Sequence, residues 1–295
     1  MVAVLSKEVL PFKKEFPITD NHMHLDPRNG EGLEAVKKFM REGGKNIFLV
    51  NKLTKDLGLS GVSVDNFDRL YKETIKLAEQ VGELGVRAFP VLGVHPAEFH
   101  FMAEQCGIDK ARQIAEKALE LAAKHVSEGE AVAIGEVGRP HYPVAKEIRE
   151  ACEALLCHAF ELARDVDCAV QLHTESIDEA GLLVIAELAD KAGLPKERVV
   201  KHFSPPLIKK SEELGIMPSL IATKKNILAA LEQGARFLME SDYIDDASRP
   251  GAVVSPRSVP KVTKQLFAEG RLSEEDIWRI HKDNVERTYH VLVEF

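Results

Sequence analysis

Residues 18–25 read ITDNHMHL, a β-branched and apolar run that ends in two histidines separated by one residue. Such a run predicts a β-strand, and because strand side chains alternate between faces, His22 and His24 should point to the same side, about 6.5–7 Å apart along the strand. Asp20 shares that parity. Two imidazoles in this arrangement can bind one metal ion, although two polar strand-end histidines that hydrogen-bond nearby carbonyls would give the same pattern.

Seven further runs of this kind follow along the chain. They cover approximately residues 46–52, 86–94, 131–137, 168–174, 198–204, 217–222 and 235–242. Amphipathic stretches, in which Leu, Ile and Ala recur every three or four residues, separate nearly all of them, for example at residues 65–83, 109–127, 146–164 and 178–192. A strand followed by a helix, repeated eight times, is typical of a parallel barrel. The sequence therefore predicts an α/β protein built as a single (β/α)8 TIM barrel.

The length of the chain and its C-terminal part fit the same architecture. A chain of 295 residues is somewhat longer than the roughly 250 residues typical of one such barrel. After the eighth strand we predict a loop with Pro and Ser at residues 248–260 and then two extra C-terminal helices. The second of these begins with Ser273 as its cap and Asp276 three residues later. No internal repeat or linker interrupts the sequence, so residues 1–295 are expected to form one domain.

Composition limits the possible partners and location. The formal net charge is −8 and there is no lysine-rich run, which argues against an extended nucleic-acid tract but not against a site for one or two phosphates. No apolar run approaches the roughly 20 residues of a membrane span, and no signal peptide is expected. Four cysteines without a close CxxC pair should be free thiols, which indicates a reducing compartment and hence a cytoplasmic protein.

Four more residues with metal-binding side chains end later strands of the predicted barrel, namely Glu136, His173, His202 and Asp242. Because the carboxyl ends of parallel strands meet at one face, these four and the two first-strand histidines should converge around two metal ions. Glu136 is expected on the same face as Val132 and Ile134. Each of the four also has a structural interpretation when taken alone. Glu136 could pair with Arg139, His173 and His202 could be core residues, and Asp242 could cap a turn.

The ordered motifs DNHMHL, GVHP, GEVG, QLHTE, HFS and ESD resemble those of the TatD family of metal-dependent hydrolases, in the amidohydrolase superfamily. The resemblance extends to residues 284–289, which are similar to the family's closing NxxRxF-like helix. His95, in GVHP, matches a family histidine near the site whose role is open between ligand, substrate contact and support for a ligand. The resemblance implies two metal sites bridged by Glu136, one formed by His22, His24 and Asp242 and the other by His173 and His202.

The resemblance also implies cleavage of phosphodiesters, often of DNA from a 3′ end. Two ions roughly 3.5–4 Å apart can activate a shared water and stabilise charge on the attacking and leaving oxygens. Asp242 is the expected proton acceptor, and Asp242, Glu136 and His95 are the candidate catalytic residues. Imidazole and carboxylate ligands favour Zn²⁺ or Mn²⁺, with Mg²⁺, Fe²⁺ or Ni²⁺ as alternatives. The first hypothesis is a metal-dependent phosphodiesterase or deoxyribonuclease that acts on a small-molecule or nucleic-acid phosphoester.

Two motifs depart from the family pattern in ways that bear on the substrate. Where family members read GEIGLD and ETDAP, this chain reads GEVGRPHY and ESDYIDD. Candidate substrate contacts are Arg139, His141 and Lys225, while Glu240 is expected to orient a first-strand histidine. The same two ions would also hydrolyse a carboxylic ester, lactone or amide. A catalytically inactive metal-binding barrel is a further alternative, against which the presence of all six ligand candidates argues.

Overall fold

The computed structural model describes residues 15–59, 62–249 and 253–295. Within them, neighbouring strands pair in parallel and in sequence order. All eight main strands coincide with the predicted runs. They are β1 (Thr19–His24), β2 (Asn46–Val50), β3 (Arg87–Leu92), β4 (Ala133–Gly138), β5 (Ala169–His173), β6 (Val199–Lys201), β7 (Met217–Ile221) and β8 (Leu238–Glu240).

The sheet closes on itself where β8 meets β1. A short ninth strand, β9 (Tyr243–Ile244), follows β8 and pairs in parallel with β1, so that Met23 lies opposite Tyr243. Just before this strand, the backbone N–H of Asp242 donates to the carbonyl of His22 at 2.9 Å. The beginning and the end of the sheet therefore meet along one seam, and the predicted (β/α)8 TIM barrel is confirmed.

Helices follow the strands around the outside of the barrel. They are α1 (Leu33–Arg41), α2 (Val64–Glu83), α3 (Pro96–Cys106), α4 (Ile108–Ser127), α5 (Lys146–Asp165), α6 (Glu179–Ala192), α7 (Ile208–Leu214) and α8 (Lys224–Leu231). The four helices predicted as examples correspond to α2, α4, α5 and α6. The connection from β3 to β4 contains two helices, α3 and α4. In the described parts of the chain, no helix combines the length and apolarity that a membrane crossing needs.

Extra helices complete the C-terminal part, and there are three where two were predicted, because a π-helical turn divides the second. They are α9 (Ser258–Ala268), α10 (Glu274–Trp278) and α11 (Asn284–Tyr289), and a π-helical turn at Arg279–Asp283 joins the last two. The hydroxyl of Ser273 accepts the N–H of Asp276 and caps α10, as expected. Because α9 begins at Ser258, the predicted loop over 248–260 ends earlier than expected. Residues 250–252 of that loop, and residues 1–14, lie outside the described residues.

The apolar side chains form an inner layer inside the barrel and an outer layer against the helices. Alternate strand residues belong to different layers: Val91 is in the inner cluster, whereas the next residue, Leu92, packs with the helices. The last helix contributes to the inner layer, since Tyr289 packs against Phe48 with ring centroids 4.1 Å apart. The base of the barrel is therefore apolar and filled, which leaves the opposite end for polar groups.

Buried hydrogen bonds attach the C-terminal helices to the barrel. The amide nitrogen of Asn284 donates to the carbonyls of Ala235 and Phe237 at 2.9 and 3.0 Å. His281, fully buried, lies 2.9 Å from the hydroxyl of Thr263 and also contacts the backbone of β1. The carbonyls just before β8 thus accept their hydrogen bonds from a helix in another part of the chain.

Replacing Asn284 with Ala should destabilise the fold, because two buried carbonyls lose their donor. We expect the free energy of unfolding to fall by about 2–4 kcal/mol, measured by urea denaturation. Asn226→Ala is the control, since Asn226 is only half-buried and donates one 3.3 Å bond to the Ile221 carbonyl. An equal loss in both variants would contradict the anchoring role of Asn284.

Candidate metal centre

The structure brings all six predicted ligands together at the carboxyl ends of the strands. Three groups of three residues form this centre, and within each group the ligand atoms lie within 4.8 Å of one another. The groups are His22, His24 and Asp242; His22, Glu136 and His202; and His95, Glu136 and His173. His95, whose role the sequence left open, therefore lies at the same centre as the six.

Glu136 occupies the middle of this centre, and its two oxygens face different imidazoles. Oε2 lies 3.3 Å from Nε2 of His24 and 3.5 Å from Nε2 of His22. Oε1 lies 2.8 Å from Nδ1 of His173 and 3.4 Å from Nε2 of His202. One carboxylate thus joins the imidazoles of β1 to those that end β5 and follow β6, which is the arrangement expected of a bridging ligand.

Glu136 faces inward for a different reason from the one predicted. Ile134, which alternation placed on the same face, packs outward among the helices. The pairing of β4 with β5 shifts register between Gly135 and Val137, and this shift turns Glu136 into the barrel. Gly135 permits the close approach, because a Cβ there would lie 2.8 Å from Cβ of Gln171. The assumption of unbroken alternation across GEVG was therefore wrong, although the inward position was right.

The seam between β1 and β8 positions the group of His22, His24 and Asp242. The Nε2 atoms of the two histidines lie 3.1 Å apart, and Oδ1 of Asp242 lies 3.8 and 3.9 Å from them. Asp20 does not join them: its Oδ1 accepts the backbone N–H of Ser241 at 2.9 Å and that of His22 at 3.2 Å. The reason is a register shift in β1 between Asp20 and Met23, which breaks the predicted parity.

Two further side chains hold ligand imidazoles from behind. Oε1 of Gln171 lies 2.8 Å from Nδ1 of His22, and Oε1 of Glu240 lies 2.9 Å from Nδ1 of His202. Glu240 was predicted to orient a first-strand histidine, and this prediction was wrong, since it contacts the histidine that follows β6. Gln171 was not predicted from the sequence, although its position two residues before His173 places it on the same face of β5.

His95 and His141 flank His173. Nδ1 of His95 accepts the backbone N–H of Ala97 at 2.9 Å and caps α3, so the neutral imidazole carries its hydrogen on Nε2. That Nε2 lies 3.2 Å from Nδ1 of His173 and 4.0 Å from Oε1 of Glu136. On the other side, Nδ1 of His141 lies 2.8 Å from Nε2 of His173. His95 is thus placed as a hydrogen-bond donor at the edge of the centre.

Charges inside the centre shift the pKa values of its members. Burial disfavours the charged form of His22, but Glu136 and Asp242 outweigh it and raise the pKa of His22 to about 10. Burial likewise opposes ionisation of Glu136, yet the charge of His22 and the hydrogen bonds of His173 and His22 hold its pKa well below the usual range. Burial raises the pKa of Asp242 well above its ordinary value. Burial lowers the pKa of His202 to about 4.

This donor set fits divalent cations. Among the described residues, the ion-pair partners of Glu136 and Asp242 are imidazoles alone. Imidazole nitrogens and carboxylate oxygens suit Zn²⁺, Mn²⁺, Fe²⁺ and Ni²⁺. Buried carboxylates without Lys or Arg partners are costly, and bound cations would remove that cost.

Cationic side chains that follow strands of the barrel are mostly paired with acidic residues. Arg139 is buried and pairs with Glu175 at 3.0 Å and Glu153 at 3.4 Å, so the alternative salt bridge to Glu136 does not form. Lys225 is exposed in the first turn of α8. The substrate roles of Arg139, His141 and Lys225 stay predictions. Three further cations pair with acids: Lys52 with Asp26, Lys224 with Glu269 and Arg249 with Asp246.

Known proteins match this chain in sequence and in fold. The family model described as TatD related DNase matches residues 19–290. The uncharacterized protein MJ1127 of Methanocaldococcus jannaschii is 39% identical over 283 residues, which cover 95% of this chain and 98% of that protein. The TatD homolog YJJV of Escherichia coli has a TM-score of 0.65 at 19% identity, covering 93% of this chain and 98% of the other.

A second solved structure shares the barrel at lower identity. It is a phosphotriesterase homology protein from Escherichia coli, complexed with phosphate in its active site. Its TM-score is 0.60 at 13% identity, over 93% of this chain and 99% of that one. At such identities the two structural matches show a common fold.

Metal analysis should find about two divalent ions per chain in protein purified without chelators. We expect His24→Ala to lose one ion and His202→Ala to lose the other, while Glu136→Gln weakens both, since its carboxylate faces both groups. His158→Ala, on the outer helix α5, is the control and should bind as the wild type does. Equilibrium dialysis with Zn²⁺ or Mn²⁺ gives the affinities. Unchanged binding of both ions by Glu136→Gln would refute the bridging position.

Proposed function

Because the chain belongs to the TatD-related DNase family of metal-dependent hydrolases, we propose that it hydrolyses phosphoesters at the metal centre of the barrel mouth. The observation that carries this proposal is the position of Glu136, whose two oxygens face two separate groups of imidazoles. In this proposal His22, His24 and Asp242 would hold one ion, His173 and His202 would hold the other, and Glu136 would be a ligand of both. Zn²⁺ or Mn²⁺ suits these donors best.

Bound divalent cations supply Lewis-acid polarisation of a phosphoryl oxygen and lower the pKa of the attacking water. Asp242 is the proton acceptor. Its carboxyl group is 12% exposed and can be reached from the mouth, where it lies beside the imidazoles of His22 and His24. The backbone N–H of Asp242 is tied to the carbonyl of His22, so the carboxylate stays beside the imidazoles of β1.

His95 is the candidate contact to the substrate. Its Nδ1 is occupied by the N–H of Ala97, so Nε2–H points as a donor into the centre beside His173 and Glu136. A donor in this position can bind a non-bridging oxygen of the phosphoryl group and stabilise the charge that develops there. We therefore assign His95 to substrate binding rather than to the metal ligands.

A small phosphoester fits the surroundings better than a long nucleic acid. The net charge of −8 offers no basic track for a duplex. Arg139 beside the centre is neutralised by Glu175 and Glu153, and Lys52 by Asp26. Recognition then depends on the metal centre and on His95, which together contact only the groups close to the scissile bond.

A carboxylic ester, lactone or amide is the second candidate substrate. The pairing of Arg139 favours it, because a carbonyl substrate needs no cation for non-bridging oxygens. Phe203 also favours it: this ring is 50% exposed and directly follows the ligand His202, so it offers an apolar contact beside the centre. The same activated water attacks a carbonyl carbon as it attacks phosphorus.

Replacing Asp242 with Asn should remove the proton acceptor and one ligand of the first ion. We expect kcat on bis-p-nitrophenyl phosphate to fall by at least about 10²-fold at saturating Mn²⁺ or Zn²⁺. The exposed pair of Asp190 and Lys196 provides the control, and Asp190→Asn should keep full activity. Undiminished turnover by Asp242→Asn would refute its role.

A substrate panel should separate the two candidate functions. With Mg²⁺, Mn²⁺ and Zn²⁺ in turn, we expect turnover of bis-p-nitrophenyl phosphate, with less activity on single-stranded DNA and on lactones. Phe203→Ala is informative, because it should impair lactone or aryl-ester hydrolysis more than hydrolysis of an alkyl phosphodiester. Activity confined to the lactones would overturn the phosphoester proposal in favour of the second candidate.

A further inference from the structure

A continuous chain of buried hydrogen bonds lies behind the metal ligands, inside the barrel. Its members are at most 3% exposed, and they are His22, Gln171, Tyr289, Asn21, Ser219 and Glu240. His22, at one end, stacks on His202 with ring centroids 3.8 Å apart, and His202 in turn lies beside Glu240 at the other end. This chain therefore separates the metal centre from the apolar base of the barrel.

The amide of Gln171 has only one possible orientation. Its nitrogen donates to the backbone carbonyl of Asn21 at 3.0 Å and to the hydroxyl of Tyr289 at 2.7 Å. A backbone carbonyl accepts but never donates, so the amide oxygen must be the atom that lies 2.8 Å from Nδ1 of His22. That oxygen also only accepts. In the neutral imidazole, His22 therefore carries its hydrogen on Nδ1 and presents Nε2 to the metal.

The hydroxyl of Tyr289 fixes which groups donate and which accept in the rest of the chain of hydrogen bonds. Because it accepts from Gln171, its own hydrogen goes to Oδ1 of Asn21 at 2.8 Å. The nitrogen of Asn21 then donates to the hydroxyl of Ser219 at 3.0 Å. The hydroxyl of Ser219 in turn donates to Oε2 of Glu240. Each of the two hydroxyls in this half thus donates to one acceptor.

Glu240 ends the chain at the second histidine. Its Oε1 accepts the backbone N–H of Phe203 at 2.7 Å and lies 2.9 Å from Nδ1 of His202. Its Oε2 accepts the hydroxyl of Ser219, so both oxygens of the carboxylate act as acceptors. Nδ1 of His202 makes no hydrogen bond to any described residue, so the chain of hydrogen bonds stops at Glu240 and only contacts His202.

We propose that Gln171 and Tyr289 are positioning residues of the metal centre, through which the C-terminal helix α11 fixes the liganding nitrogen of His22. The inference rests on the proposed function only in requiring that the centre bind metal ions. Neither residue contacts the metals or the substrate. Tyr289 ends the NVERTY segment at the place where the NxxRxF-like pattern has Phe, so its hydroxyl is a departure of this chain from that pattern.

The hydroxyl of Tyr289 can be removed without disturbing its ring. The ring packs on Phe48 in the inner layer, whereas the hydroxyl contacts Gln171 and Asn21. Tyr71 supplies a matched control, because it is equally buried and its hydroxyl has no hydrogen-bond partner within the described residues. Tyr289→Phe and Tyr71→Phe thus delete the same atom, once inside the chain and once outside it.

The test is a double-mutant cycle on Zn²⁺ affinity, measured by competition with a fluorescent chelator. We expect Gln171→Leu to weaken binding by about 10–100-fold, the usual effect of losing a partner behind a ligand histidine. Tyr289→Phe should weaken it by about threefold or more, and should cause no further loss in the Gln171→Leu background, because Tyr289 acts through Gln171. Tyr71→Phe should bind as the wild type does.

Nitrogen-15 NMR of the Zn²⁺-loaded wild type gives a second readout, in which we expect Nδ1–H and metal-bound Nε2 for His22. Losses that add in the double variant, an unaffected Tyr289→Phe, or a metal-bound Nδ1 of His22 would each overturn the inference. If Gln171→Leu does not fold, Tyr289→Phe and the NMR signature still decide. Zinc binding without phosphoesterase activity would contradict the proposed function alone.

Discussion

The ionised carboxylate of Glu136 lies in the interior of the barrel, and the rest of the mouth is organised by the need to stabilise it. A buried charge is costly unless oppositely charged or hydrogen-bonding groups surround it. Here these groups are imidazoles from β1 and from the ends of β5 and β6, all directed at the two oxygens. They can converge only if the sheet closes, because β1 lies several strands away from β5 and β6. Closure of the barrel and assembly of the centre are therefore one event.

Behind the imidazoles, the interior is divided into an apolar base and a polar layer. The base is filled by strand residues and by side chains of α11, and it supplies the hydrophobic stabilisation. The polar layer supplies orientation, because the backbone carbonyl of Asn21 fixes the amide of Gln171, whose oxygen then faces His22. Tyr289 belongs to both the base and the polar layer, since its ring packs on Phe48 in the base while its hydroxyl is hydrogen-bonded to Gln171 in the polar layer.

The sequence predicted the barrel, its helices and the convergence of the six ligand candidates, because each depends on local periodicity and on the rule that parallel strands end at one face. The predictions from the sequence were wrong where the register of strand pairing shifts. Asp20 and Glu136 were both assigned by alternation, and in both strands an irregularity breaks that alternation. The partner of Glu240 could not be predicted either, because reach across a barrel interior depends on tilt and stagger rather than on strand order. The same holds for Arg139, whose acidic partners come from separate segments.

The closing seam has a consequence for synthesis on the ribosome. His22 and His24 leave the exit tunnel early. Ser241 donates a hydrogen bond to Asp20 but leaves much later, because it follows Asp20 by 221 positions. The hydroxyl that completes the polar layer arrives later still, since Tyr289 is separated from Asn21 by 268 positions. A nascent or prematurely terminated chain holds imidazoles without the acid and the amide partners that arrange them. Translation itself therefore delays the hydrolytic centre until nearly the whole chain has been made.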